Sequence, residues 1–166
     1  RLVFVGEGPD LPKVICQARK LGLEDRVTFC GKQDDVAQIL SMADCMLLPS
    51  EKESFGLVAL EAMACGVPTV GSNAGGIPEL VAHGETGFLA PVGDTRLMAE
   101  YALSLLQDEE LYRRMSDACI ERARTKFCND RIMRQYEEIY YRVLGLDVPA
   151  DRSISASVGS DACIVR

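Results

Sequence analysis

The sequence predicts a doubly wound α/β domain, in which a parallel sheet carries helices on both faces. Short apolar runs alternate along the chain with segments whose apolar residues recur at helical spacing, as β-α-β units require. The three best-defined strands are interpreted as nearly continuous apolar runs, most plainly at 2–5 and 45–48, where polar residues do not alternate with apolar ones. Such runs are typical of strands that are buried on both faces of a parallel sheet, so we expect that burial here.

Each expected element has its own local signal. The expected strands are short apolar runs bounded by turn-forming residues: 2–5, 26–30, 45–48, 68–71 and 87–90. The expected helices of this part carry apolar residues at every third or fourth position: 11–21, 36–42, 55–64 and a brief helix after Gly75-Gly76. Gly22 and Gly66 stand where the first and third of these helices must stop.

From Asp94 onward the chain is expected to be helical, with helices at 95–107, 109–127 and 130–144. The last helix carries an apolar stripe: Ile132, Met133, Tyr136, Ile139, Tyr140 and Val143. The periodicity ends after Gly145. We therefore expect one domain over residues 1–147 and a disordered tail over residues 148–166.

Composition restricts the partners. The chain has 166 residues, with 25 Asp and Glu against 18 Lys and Arg, and a net charge of −7. No basic block interrupts the acidic excess, so nucleic acid and anionic membrane surfaces are not expected partners. No apolar run reaches the roughly 18–20 residues that a membrane span needs. The first residues read as a strand and not as a signal peptide, and we expect a cytoplasmic location.

The seven cysteines are odd in number and lack C-x-x-C spacing. We expect them to be buried free thiols in a reducing compartment. His83, the single histidine, has no neighbouring ligand, and no Asp-x-Asp occurs. We expect no metal and no cofactor.

The segment from Pro49 to Pro68 carries the candidate chemistry. Its loop, residues 50–54, follows the third strand, and open α/β sheets bind ligands at the carboxyl ends of their strands. Glu53 lies in this loop. The free N–H groups of residues 55–58, at the start of the following helix, are expected to form an anion site, since helix N-termini attract anions. Glu61 lies about 7–8 Å further along the helix axis at 1.5 Å per residue.

This arrangement fits an extended ligand with a diphosphate on the helix N-terminus and a hydroxylated ring near each glutamate. Carboxylates accept two hydrogen bonds from a vicinal diol. A second interpretation stays open on spacing alone, because glutamate is common in helices. In it, Glu53 only complements the helix dipole and Glu61 is a solvated helix residue.

Glu53 and Glu61, with seven residues between them in Glu-Ser-Phe-Gly-Leu-Val-Ala-Leu-Glu, resemble the E-x7-E motif of family 4 retaining glycosyltransferases. Further motifs of that family follow in the expected order: Val5-Gly6-Glu7-Gly8-Pro9, Arg26-Val27-Thr28-Phe29, Ala43-Asp44, Gly66-Val67-Pro68, Gly75-Gly76-Ile77-Pro78-Glu79 and Gly84-Glu85-Thr86-Gly87-Phe88. The resemblance covers about residues 1–146. It implies the GT-B fold, with two Rossmann-like domains facing across a cleft, and this chain as the C-terminal, donor-binding domain.

The resemblance also implies a role for each matching residue. The donor sugar and diphosphate would contact Glu53, Ser54, Phe55, Gly56, Leu57 and Val58, with Gly6 and Gly8 on the cleft floor near the diphosphate. Glu61 would hold the ribose. The loop Gly31-Lys32-Gln33 would border the nucleobase. A plain strand-to-helix turn explains Gly6 and Gly8 nearly as well.

A narrower resemblance lies in Gly31-Lys32-Gln33-Asp34 and Ser50-Glu51-Lys52-Glu53-Ser54-Phe55. These segments are similar to those of the family members that transfer GlcNAc from UDP-GlcNAc to L-malate in bacterial bacillithiol biosynthesis. Three alternatives stay open: a related hexosyltransferase with another sugar or acceptor, an epimerase of the UDP-GlcNAc type, and a non-catalytic nucleotide-binding module.

The resemblance implies that several parts of the active site precede residue 1. These are an Arg and a Lys that neutralise the diphosphate, and an N-terminal domain that binds the small acceptor. We therefore expect the isolated chain to be inactive. No residue is an evident general base, and Glu53 is expected to position the donor sugar, with the donor phosphate assisting acceptor deprotonation. In this family the final helix crosses to the N-terminal domain. Alone, its stripe is expected to be mobile or to pack on another copy, as a homo-oligomer.

Overall fold

A computed structural model describes residues 1–147 of the chain. The tail that was expected to be disordered, residues 148–166, lies outside the described residues. The described chain divides into two compact units, Arg1–Ile39 and the part from Leu40 onward. Each unit contains its own parallel sheet.

The first unit is a β-α-β arrangement. Strand β1 (Leu2–Phe4) pairs in parallel with β2 (Val27–Phe29), and Phe4 lies opposite Phe29 with their rings stacked at 5.2 Å. Helix α1 (Leu11–Lys20) and a 3-10 turn at Glu24–Arg26 connect the strands. A short helix, α2 (Val36–Leu40), follows β2.

The predicted burial on both faces is wrong for the first strand, and Thr28 of the second strand and Leu47 of the third are exposed as well. Leu2, Val3 and Phe4 are between 37% and 46% exposed. Within the described residues β1 has one hydrogen-bonded neighbour, β2, in a two-stranded sheet. A continuous apolar run indicates burial only where helices cover both faces of the sheet, and β1 lacks that cover here.

The second unit contains a three-stranded parallel sheet in the order β3 (Met46–Leu48), β4 (Thr69–Ser72) and β5 (Gly87–Ala90). Every residue of the central strand β4 is buried. Helix α3 (Leu57–Ala64) connects β3 to β4, and the short helix α4 (Ile77–Leu80) lies between β4 and β5.

Helices cover both faces of this second sheet. Val70 of β4 packs in a cluster with Met98, Leu105 and Met115, which belong to α5 (Thr95–Gln107) and α6 (Glu109–Lys126). At Gly71, the next residue, the Cβ position faces the opposite side of the sheet and lies 2.9 Å from the side chain of Ile77. Ile77 belongs to α4 and packs with residues of α3 and α6. The predicted fold class, parallel α/β with helices on both faces, is confirmed.

The last helix, α7 (Asn129–Leu144), has no buried residue. Its predicted apolar stripe exists, and Tyr136, Ile139, Tyr140 and Val143 are each more than half exposed. Mobility or self-association of this helix stays a prediction. Among the helices of residues 1–147, none is long and apolar enough to cross a membrane.

The cysteines were expected to be buried free thiols. All six within the described residues are free, while Cys163 lies outside them. Burial holds fully only for Cys119, and Cys16 is exposed. Cys16 lies on α1, a helix that has no buried residue.

Candidate active site

The loop between β3 and α3, residues 49–56, is held in place by the glycines that follow β4. The N–H of Gly76 donates a hydrogen bond to the carbonyl oxygen of Glu53 at 3.1 Å. A Cβ on Gly75 would lie 1.8 Å from that same oxygen, and one on Gly76 would lie 2.6 Å from the Ser54 carbonyl oxygen. These distances leave no room for a side chain, so glycine at both positions allows this segment to contact the backbone of Glu53 and Ser54 directly.

Helix α3 begins two residues later than predicted, at Leu57 instead of Phe55. Gly56 precedes it with φ of +93°, a left-handed conformation that interrupts the helix and that glycine adopts without strain. Phe55 and Gly56 therefore lie in the loop. Sequence periodicity continued through both residues and gave no sign of this reversal.

The first turn of α3 still offers backbone donors. The N–H groups of Ala59 and Leu60 donate to the Gly56 carbonyl oxygen at 2.8 and 3.3 Å. The N–H groups of Leu57 and Val58 precede these bonds, where helical N–H groups have no partner within the helix. Of the four predicted donors, Leu57 and Val58 therefore lie in the first turn of the helix and Phe55 and Gly56 in the loop before it, and the anion site stays a prediction.

The two glutamates lie at either end of this arrangement, and both are partly exposed. Glu53 is in the loop, and its Cγ lies 3.5 Å from where a Gly56 Cβ would stand. Glu61 is on α3, one turn before Cys65. Burial and, to a lesser extent, the negative charge of Glu61 raise the pKa of the Cys65 thiol.

The first unit brings together another set of predicted residues. The N–H of Gly6 donates to the Gly31 carbonyl oxygen at 2.7 Å, so the first turn meets the loop that follows β2. Gln33 donates from Nε2 to the Cys30 carbonyl oxygen at 2.7 Å, and Lys32 is exposed. No described atom lies within 4 Å of a Cβ placed on Gly8.

The predicted site residues therefore form two sets. Gly6, Gly8, Gly31, Lys32 and Gln33 belong to the first unit, and the loop residues with Glu61 belong to the second. The sequence placed Gly75 and Gly76 in a family motif before a brief helix but did not predict that they contact the Glu53 backbone. Two adjacent glycines just after a buried strand were the available signal. Within residues 1–147, no group of three or more His, Cys, Asp or Glu side chains could hold a metal ion.

Comparison with known proteins places this geometry among sugar transferases. Residues 1–122 match the family described as Glycosyl transferases group 1. The chain is 54% identical to N-acetyl-alpha-D-glucosaminyl L-malate synthase of Bacillus anthracis over 87% of its length, and spans 38% of that protein. It is 40% identical to D-inositol 3-phosphate glycosyltransferase of Corynebacterium efficiens over 74% of its length, and spans 30% of that protein.

The same fold occurs in solved structures. Alr3699/HepE of Anabaena, crystallised in complex with UDP, superposes with a TM-score of 0.80 at 31% identity. The match covers 84% of this chain and 40% of that one. The chain thus spans about two fifths or less of the length of these proteins.

Proposed function

The chain belongs to the Glycosyl transferases group 1 family, and on that basis we propose that its protein is a retaining glycosyltransferase whose donor-binding half lies here. The donor is UDP-GlcNAc and the acceptor is L-malate. The acceptor is bound by a further domain outside this chain.

The observation that carries this proposal is the 54% identity to the L-malate synthase of Bacillus anthracis, which extends over 87% of the chain. Identity to the D-inositol 3-phosphate enzyme is lower, at 40% over 74% of the chain. The higher and longer identity favours GlcNAc transfer to malate over transfer to an inositol phosphate. The UDP bound to the Anabaena neighbour supports a uridine nucleotide as the leaving group.

The geometry supports a division of work along the donor. Leu57 and Val58 offer backbone N–H groups to the diphosphate, and Glu53 accepts hydrogen bonds from sugar hydroxyls. Glu61 accepts hydrogen bonds from the ribose. For the first unit the support is the family resemblance and not the geometry: on that resemblance we propose Gly6 and Gly8 near the diphosphate and the loop Gly31-Lys32-Gln33 near the uracil.

The proposed mechanism relies on placement. Neither glutamate is assigned a proton transfer; the donor phosphate itself assists deprotonation of the acceptor hydroxyl on the same face of the sugar. The protein contributes by holding both substrates in reacting geometry and by stabilising the charge that develops on UDP. We propose that this requires neither a metal ion nor a cofactor.

The first test is an assay of the full-length protein with UDP-GlcNAc and a panel of acceptors that includes L-malate and inositol 3-phosphate. We expect UDP release and a GlcNAc-malate product whose anomeric configuration is that of the donor. Transfer only to another acceptor would overturn the malate assignment. Hydrolysis, epimerisation or binding without transfer would overturn the transferase proposal.

A second test separates the two glutamates by calorimetry. Glu61→Ala should weaken UDP and UDP-GlcNAc alike, by about tenfold or more for a lost charged hydrogen bond. Glu53→Ala should weaken UDP-GlcNAc by a similar factor and leave UDP binding nearly unchanged.

Glu51→Ala is the matched control, since Glu51 is exposed in the same loop. It should change neither affinity. Equal losses for both ligands in both glutamate variants would contradict the separate roles.

A further inference from the structure

Arg122, on α6, ties that helix to the end of α4. Its Nε donates to the Leu80 carbonyl oxygen at 2.7 Å, and its Nη2 donates to the Glu79 carbonyl oxygen at 2.9 Å. The last carbonyl groups of a helix have no partner within the helix. The guanidinium supplies partners for two of them, which joins residues 42 and 43 positions apart in the sequence.

The same guanidinium also contacts an aromatic pair. Its Cζ lies 5.8 Å from the centre of the Phe127 ring, within the range of a cation–π interaction. The Phe127 ring meets Phe55 edge to face, with ring centres 6.5 Å apart and an angle of 71°. Phe55 is the loop residue just before Gly56.

Both sets of contacts lead to the loop that carries Glu53. Along one route, α4 follows directly after Gly76, which donates to the Glu53 carbonyl oxygen. The side chains of Ile77 and Leu80 also lie 3.8 and 3.5 Å from a Cβ position on Gly56. Along the other route, Phe127 packs against Phe55 within the loop itself.

We infer that Arg122 is a positioning residue for the donor sugar, acting through α4 and Phe127 to hold Glu53 in place. This inference rests on the proposed function. Arginine suits the position because one planar group donates to two carbonyl oxygens and still faces a ring. A lysine keeps the charge but loses the fixed fork, so it should replace arginine only in part.

The test uses the full-length protein and calorimetry with UDP and with UDP-GlcNAc. Arg122→Ala should weaken UDP-GlcNAc by about tenfold or more, as misplacement of a positioned group does, and UDP by less than about threefold. Arg122→Lys should recover part of the loss. Phe127→Leu, which keeps both carbonyl hydrogen bonds, should give a smaller loss of the same selectivity.

A double-mutant cycle separates positioning from general stability. If Arg122 acts through Glu53, then Arg122→Ala in a Glu53→Ala background should not weaken UDP-GlcNAc further. The control is Arg124→Ala, at an exposed position of the same helix, which should leave both affinities unchanged.

Equal losses for the two ligands, or additive losses in the cycle, would overturn the role of Arg122. If Arg122→Ala does not fold, the Lys and Leu variants decide the question by the same comparison. Absence of UDP-GlcNAc binding by the unmutated protein would instead overturn the proposed function.

Discussion

The two units of the chain place similar residues in opposite surroundings. In the second unit, Gly75 lies so close to Glu53 that a Cβ would stand 1.8 Å from its carbonyl oxygen, whereas Gly8 in the first unit has no described atom within 4 Å of that position. Val70 in β4 is fully buried, while Val3 in β1 is 46% exposed. An apolar strand followed by a glycine therefore predicts a β-α turn in both units. It does not reveal whether the glycine packs against another stretch of backbone or faces open space.

The largest effect is expected at Gly75. Gly75→Ala combines a φ of +54° with a backbone overlap, so the loop must move, and we expect a loss of about 3 kcal/mol or more of unfolding free energy. Urea denaturation and the transfer assay measure it. Gly84→Ala is the control, since Gly84 has φ of +81° but open surroundings, and should cost about 1 kcal/mol. Equal losses would show that crowding at Gly75 is unimportant.

The second largest loss of stability is expected at Val70 of β4, which is compared with Val3 of β1. Val70→Ala should lower the unfolding free energy by about 1.5–3 kcal/mol, the value of a buried side chain of this size. Val3→Ala, in the corresponding strand of the first unit, should cost clearly less because Val3 is partly in water. Denaturant titrations of the two variants compare them directly. A loss at Val3 that equals the loss at Val70 would show that β1 is covered in the whole protein.

The thiols give a smaller effect, confined to alkaline pH. Burial raises the pKa of Cys45 from 9.0 to about 11 and that of Cys119 to about 12. Above pH 9 the unfolded chain loses these protons while the folded chain keeps them, so stability should fall as pH rises from 9 towards 11.

Unfolding titrations at pH 8, 9 and 10 measure this loss. Cys119→Ala should reduce the slope of the unfolding free energy against pH, and Cys16→Ala, at an exposed thiol, should not. At pH 8 a disulfide reagent should modify Cys16 well before Cys45 or Cys119. An unchanged slope in Cys119→Ala would contradict the assignment.

The smallest change in stability is expected at Gly8. Gly8→Ala should alter the unfolding free energy by less than about 0.5 kcal/mol, because the added methyl group meets open space. If Gly8 lies near the diphosphate, UDP affinity should fall nonetheless. Calorimetry that finds both stability and affinity unchanged would favour a plain strand-to-helix turn.

Most of the fold could be predicted from the sequence because its signals are local. The strand-helix alternation, the stops at Gly22 and Gly66 and the stripe on the last helix were all visible in residue order. The family resemblance is likewise confirmed, by the match over residues 1–122. Its motifs have fixed spacing, and fixed spacing survives differences in the rest of the chain.

What could not be predicted depends on distant partners. The start of α3 moves to Leu57 because Gly56 adopts a left-handed conformation beside Ile77 and Leu80, which are more than twenty residues away. The exposure of β1 depends on which other segments pack over it, and the residues of the strand alone do not determine that. The contact of Arg122 with residue 80 leaves no periodic trace in the sequence.

The hydrogen bond between Gly76 and Glu53 has a consequence for the exchange of parts between transferases. Residues 50–61 contain both glutamates and would be the first segment to choose for a chimera. Here the backbone of this segment packs directly against residues 75 and 76, and α4 begins at the next residue. We therefore expect the smallest transferable unit to be two segments, 50–61 and 73–80. A chimera that carries only the first should contain the residues of the loop at 49–56 without the loop's shape.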